Sequence, residues 1–326
     1  MKQRTISKWI SAVLLLNIFS VQVQAQWQSL YYRDHALVGK IFSTETQQFV
    51  SESQLLSALR ENEIILLGET HTNPDHHIGQ AHLIEQWMLE SNSAYKSAVL
   101  VLEMLAYDDW ADFRQPGLEL AELKAKLEQV AGRWQWNLYE PILQLQIKHQ
   151  MPMVGGNLTR EQLDKYSSAE ACQISRYGEV VNSCGVLDEP QKQIIKRLIF
   201  DAHCEYLPMA HTQPMMQVQA AKDAAFALSV HQNAQSHRVV LIAGAVHVRK
   251  DIGVPVHLRN LANSTNKSFV SLAFMNVQPD KIKPDEYFEG EDVSKQFDYV
   301  LFTPSERDQD PCVEFAEQLK KMKHKQ

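Results

Sequence analysis

Short runs of almost unbroken apolar residues recur along this chain of 326 residues: Glu63–Thr70, Ala98–Leu105, Met151–Leu158, Arg238–His247, Ser268–Val277 and Phe297–Thr303. A strand with one wet face alternates apolar and polar residues, so a run that does not alternate is expected to be buried on both faces. Stretches with helical spacing separate the runs: Ser53–Glu61, Asp75–Glu90, Tyr139–His149 and the Ala-rich Gln213–His231. This order predicts an α/β fold, a mainly parallel β-sheet flanked by helices and joined by right-handed crossovers. Two excursions, about 106–135 and 173–216, break the rhythm and are expected to form a smaller helical subdomain. One helix is predicted near Glu189–Phe200 within the second.

Ligands of open parallel sheets bind at the carboxyl ends of the strands. The first run leads into Gly68-Glu69-Thr70-His71 and then Asn73-Pro74-Asp75-His76-His77. The second carries Glu103, the third ends at Gly155-Gly156-Asn157, and the fourth leads into Gly244-Ala245-Val246-His247. Two strands therefore end in Gly-x-x-His, and two more bring Glu103 and Asn157 to the same rim. Glu69, His71, Glu103 and His247 converging on one point could hold a divalent transition metal or act as general acids and bases. Asn157 would orient a substrate or polarise a carbonyl. Asn73-Pro74-Asp75 reads as a helix start, with His77 facing the cleft and His76 in solvent. His257, in the following Gly253–Leu258 stretch, is a further candidate, weighed against an ordinary packing or surface role.

The first 25 residues have a basic start, an apolar stretch over Trp9–Val21 and small residues in Val23-Gln24-Ala25. This is the pattern of a cleaved signal peptide. It leads to the expectation of a periplasmic protein whose mature domain covers 26–326. Of the 32 basic residues, three lie in that leader, together with none of the 39 acidic ones. The remainder is thus acidic, 29 against 39, which disfavours nucleic acid as a partner. Four cysteines, Cys172, Cys184, Cys204 and Cys312, suit an oxidising compartment and allow three pairings. Cys172–Cys184 is the first choice. The absence of Cys-x-x-Cys excludes a zinc ribbon and covalent haem attachment.

Taken together, these motifs resemble the ChaN family of haem-binding uptake proteins in the Tiki/TraB superfamily. The resemblance is carried by Gly68-Glu69-Thr70-His71-x-Asn73-Pro74-x-x-His77, Leu102-Glu103-Met104, Trp136-x-x-Tyr139-x-Pro141, Gly156-Asn157, Gln219-x-x-x-Asp223 and Ala243-Gly244-x-x-His247-Val248-x-x-Asp251-x-Gly253-Val254-Pro255-x-His257-Leu258. It implies a parallel sheet with a small helical subdomain, haem as ligand, a homodimer when haem-loaded, and service to an outer-membrane haem uptake system in iron acquisition. It also implies a tyrosine on the haem iron, for which Tyr139 and Tyr206 are the candidates. Met209, Met215 and Met216 beside Tyr206 would suit either core filling or a porphyrin face. ChaN proteins are often lipoproteins, and the cysteine of that signal is missing here. The wider superfamily includes metal-dependent proteases and erythromycin esterases, so a metal-dependent hydrolase of amide or ester bonds is the alternative to a haem-binding protein. An exported interaction module ranks behind both.

Overall fold

The computed structural model describes residues 27–89, 98–107, 118–167, 172–261, 267–288 and 292–316. The expected signal peptide over 1–25 and part of the 106–135 excursion lie outside them. Each of the six apolar runs is a strand: β3 (Ile64–Glu69), β4 (Ala98–Ala106), β5 (Met153–Asn157), β8 (Arg238–Gly244), β9 (Phe269–Asn276) and β10 (Tyr299–Thr303). With β1 (Ile41–Ser43) and β2 (Gln48–Val50) they form one sheet of order β2-β1-β10-β9-β3-β8-β4-β5. Every pairing from β10 to β5 is parallel, while the short β1 and β2 close the other edge antiparallel. The fold is α/β, as the unbroken apolar runs predict.

Side-chain parity along the strands divides the interior into two cores. Ile65 and Leu67 of β3 and Leu100 and Leu102 of β4 enter the first. They pack there against α1 (Glu52–Arg60), α2 (Pro74–Leu89), α3 (Leu120–Ala131) and α4 (Glu140–His149). Ile64, Leu66, Val99 and Val101 enter the second, against α7 (Thr212–Ala234) and α8 (Val254–Leu261). Consequently β3 and β4 leave the sheet toward the first face, and β8, lying between them, leaves toward the second. Reversal of direction between neighbouring strands opens a crevice at their carboxyl ends. Both Gly-x-x-His segments lead into it.

The 173–216 excursion is not wholly helical. It begins with a hairpin of β6 (Gln173–Arg176) and β7 (Glu179–Asn182), closed by Tyr177 and Gly178 at φ 55° and 81°. Two consecutive positive φ angles mark a turn whose twist matches that of the strands. Only Ile174, Arg176 and Val181 are buried in the hairpin, too few alternations for the sequence to announce it. Cys172–Cys184 staples its base, as expected, and Cys204–Cys312 forms the second disulfide. Then α6 (Glu189–Ala202) follows, started by a reciprocal cap between Asp188 and Gln191. Gln191 also donates to the Asp251 carbonyl, tying the subdomain to the segment after β8. Among the described residues, no helix is long and apolar enough to cross a membrane.

Candidate functional site

At the crevice, β3 places Glu69 on the first face, in step with Ile65 and Leu67. α2 starts as expected, with the Asn73 side chain accepting from the Asp75 N–H. That start brings His77 to Glu69, Nε2 to Oε2 3.3 Å. Tyr139, the residue that caps α4, donates to Glu69 Oε1 at 2.6 Å, and His71 Nδ1 lies 2.9 Å from the same oxygen. Burial opposes the charge on Glu69, but the His77 and His71 imidazoles outweigh it and hold the carboxyl well below its usual range. Glu69 is therefore a buried anion with Tyr139 and His71 on Oε1 and the His77 ring beside Oε2, which has no hydrogen-bond partner among the described residues.

The second half assembles on the opposite face. A short 3-10 turn, Ala245–Val248, follows β8 and carries His247. It packs tightly on β3: a Cβ on Gly68 would come within 2.8 Å of the Ala245 Cα. α7 supplies the partners of His247 at helical spacing. Asp223 Oδ1 lies 2.5 Å from His247 Nδ1, Gln219 Nε2 3.0 Å from it, and Phe226 meets the ring edge-on at 5.0 Å. Burial alone would strip the proton from this imidazole. The Glu103 and Asp223 carboxylates prevail and push it up to about 9, whereas burial raises the Asp223 carboxyl.

Glu103 joins the halves. It projects from β4 where the register with β5 shifts between Leu102 and Ala106, a shift that Gly155 permits, since a Cβ there would strike the Ala106 carbonyl. Its oxygens lie 3.5 Å from His71 Nε2 and 3.4 Å from His247 Nε2. They also accept from Lys222 Nζ at 3.0 Å and the Gly244 N–H at 2.8 Å. Burial works against this carboxylate, but His247, Lys222 and His71 keep it well below its usual range. Two carboxylate–imidazole pairs, Glu69–His71 and Asp223–His247, thus point their Nε2 atoms at one shared carboxylate. Of the two rings His71 is the wetter, with 31% of its side chain exposed against 8% for His247. Trp134 stands edge-on to the His71 ring at 4.9 Å.

Glu69, His71, Glu103 and His247 are together, as the strand ends suggest, with His77 behind Glu69. Other candidates have different duties. Asn157 donates to the Glu103 carbonyl at 2.9 Å and accepts from the Leu158 N–H at 2.8 Å. It braces the backbone that carries the site. His76 is buried rather than solvated: Nδ1 accepts from the Thr70 N–H, Nε2 pairs with Thr303, and burial lowers its pKa to about 3. His257 lies inside α8, takes no part in the network, and neither ring nitrogen has a hydrogen-bond partner among the described residues; burial lowers it to about 4. Tyr139 is 1% exposed. Burial, the nearby Glu69 charge and the hydrogen bond given to it raise its phenol far above the usual range. Tyr206 is exposed, edge-on to Phe315 at 5.6 Å.

The four-residue metal set does not fit. Tyr139 and His71 already occupy Oε1 of Glu69, and Lys222 already supplies a cation to Glu103. Among the described residues, no group of three or more His, Cys, Asp or Glu side chains is arranged to hold a metal ion. Lys222 and Asp223 were not among the sequence candidates as site residues. Their signal is an adjacent charged pair inside Ala220-Ala221-Lys222-Asp223-Ala224-Ala225, a helix stretch otherwise fit only for burial. Neighbouring carboxylates outweigh burial at both imidazoles, pushing His71 up and His247 to about 9.

Residues 55–258 match the family model described as haem-binding uptake, Tiki superfamily, ChaN. The chain belongs to this family. Among solved structures, ChaN of Campylobacter jejuni, described as binding haem cofacially, is 22% identical with a TM-score of 0.63. The alignment covers 80% of this chain and 95% of that ChaN, which shows a shared fold. An erythromycin esterase variant in its open conformation aligns over 83% of this chain and 99% of its own, at 13% identity and a TM-score of 0.46. No functionally curated protein matches. Relative to the ChaN match, Glu69 through His257 all fall inside the family region, whereas β9 and β10 lie beyond it.

Proposed function

We propose that this protein is a haem-handling protein of iron acquisition, working in the periplasm after removal of residues 1–25. Membership of the ChaN family over residues 55–258 is the observation that carries this reading. The surface supports it. Tyr206, Met209 and Met215 are exposed on the subdomain. One helical turn after Met215, about 6 Å of rise along α7, Gln219 reaches His247 in the crevice. Tyr206 offers the phenol that ferric haem accepts, and Tyr139 does not. A haem pair shared by two copies of the chain, delivered through an outer-membrane uptake system, completes the proposal.

The test is a hemin titration of the chain lacking residues 1–25. A saturable Soret shift is expected, with an altered ferric spectrum in Tyr206→Phe and an unaltered one in Tyr139→Phe. Sedimentation of the loaded protein should give twice the apo mass. Lack of saturation would overturn the reading. Hydrolysis of amide or ester bonds is the weaker alternative, because the family model that the chain matches is one of haem binding. Turnover of an ester panel at neutral pH, lost in His247→Gln, would reverse that ranking.

A further inference from the structure

The two disulfides sit in unlike surroundings. Cys172–Cys184 closes a hairpin whose strands are already paired from Gln173 opposite Asn182 to Arg176 opposite Glu179. Beside it, the Ser183 N–H and hydroxyl both donate to the Cys172 carbonyl. With its sulfurs reduced, this pair would still be held together by the backbone. Cys204–Cys312 has no such support. The C-terminal segment is anchored as far as Asp308, which accepts from the Tyr32 hydroxyl, and by Glu306, which accepts from Thr72 and Asn276. Beyond that point, among the described residues, no hydrogen bond or ion pair joins residues 311–316 to another element, and Cys312 and Val313 donate only to Asp310.

The backbone on the other side of the bond is strained. α6 ends at Ala202, and Cys204 and Glu205 follow with φ 54° and 59°. Glycine is the usual occupant of this left-handed region after a helix, and a residue with a Cβ is held there at a cost. A disulfide rooted in such backbone, and unsupported on its far side, is the one a thiol opens more readily.

What this bond holds in place is a ring contact. Tyr206 follows Cys204 closely and Phe315 follows Cys312, and their rings meet edge-on at 5.6 Å. We propose that Cys204–Cys312 is a redox latch: closed, it seats Phe315 against Tyr206; opened by a dithiol, it frees residues 311–316 and weakens the hold on haem. The last step rests on the reading of Tyr206 as a haem ligand. Rings fixed in advance bind a flat ligand at lower entropic cost, so a freed Phe315 leaves a weaker site. Opening is thiol–disulfide exchange. A thiolate of the dithiol attacks one sulfur, and the other leaves as a thiolate and takes up a proton. The second thiol then attacks the mixed disulfide, closing the reagent's own disulfide and leaving both cysteines as thiols. Two electrons and two protons pass from the dithiol to the protein.

The experiment titrates the chain lacking residues 1–25 with mixtures of reduced and oxidised dithiothreitol, without hemin, and reads each cysteine by alkylation and mass spectrometry. Cys204–Cys312 should be half-reduced at a ratio of reduced to oxidised reagent at least about tenfold lower than Cys172–Cys184. Amide hydrogen exchange in residues 311–316 should quicken as the bond opens, and exchange in the hairpin should not. Hemin is then titrated into the Cys204→Ser/Cys312→Ser chain and into Phe315→Ala with its disulfide intact, and in both the Kd should rise roughly tenfold. Reduction of Cys172–Cys184 first or together with the other bond, unchanged exchange in residues 311–316, or wild-type hemin affinity in either variant would overturn the latch. Failure of the oxidised wild type to bind hemin saturably would overturn the haem reading and the haem step with it, while the dithiothreitol titration and the hydrogen exchange still decide the opening itself.

Discussion

The two imidazoles of the crevice are held by the same chemistry and built in opposite ways. His71 takes its carboxylate from Glu69, two residues back at the carboxyl end of β3. His247 takes its carboxylate from Asp223, 24 residues away on a helix that crosses the other face of the sheet. The β3 half is thus local, wetter at its ring, and anchored by a buried carboxylate. The β8 half is assembled by tertiary packing and nearly dry. A pair two residues apart, at a strand end and the turn that follows it, keeps its geometry while that turn lasts; a pair built across two elements depends on how α7 seats on the sheet.

That contrast can be broken by measurement. Glu69→Gln should have the largest effect, about 4 kcal/mol from chemical denaturation at an unchanged m-value, because a buried anion is removed from His71, His77 and Tyr139 at once. A loss below about 1 kcal/mol would mean that the β3 half is not anchored as described. Next comes pH. The folded His247 sits at about 9, above its ordinary value near 6.5, so the stability it contributes is complete below pH 6.5 and disappears as pH rises through 9. Wild type should lose about 3 kcal/mol across that window relative to His247→Gln. Parallel curves for the two proteins would remove the charged His247.

Asp223→Asn should cost less, about 2 kcal/mol, since Glu103 still faces His247. Its effect should be confined to the β8 half, with the His71 ring resonances unmoved. Smallest is Gly244→Ala. Its new Cβ would lie 3.3 Å from His71 Nε2 and 3.6 Å from Glu103 Oε2, in the gap between the halves. About 1 kcal/mol is expected, together with shifts at both rings. Shifts at only one ring would show that the halves do not share the space.

Legibility followed the same division. Unbroken apolar strands announced their own double burial, so β3, β4, β5, β8, β9 and β10 were readable, and so was a rim bearing Glu69, His71, Glu103 and His247. What depends on packing between distant elements was not. Lys222 looks like a surface charge, and Asp223 is no more than part of the Gln219-x-x-x-Asp223 motif, until α7 is laid on the sheet. Asn157 looks like a substrate contact until the shifted register of β4 turns the Glu103 carbonyl toward it. His76 looks solvated because a helix start usually is, and only the seating of Thr303 at the end of β10 makes it internal. Tyr139 sits in a motif and at a helix start, and nothing in the local sequence says that its phenol is spent on Glu69.

Central to the account is that Asp223 and Glu103 together hold a proton on His247 inside the crevice. Ring nitrogen-15 chemical shifts of His247, followed by NMR from pH 5 to 10 in wild type and in Asp223→Asn, read that proton directly. Retention of the proton to about pH 9 in wild type, with a lower midpoint in the variant, is the result expected. A wild-type midpoint near the ordinary 6.5, or one that Asp223→Asn leaves in place, would contradict it.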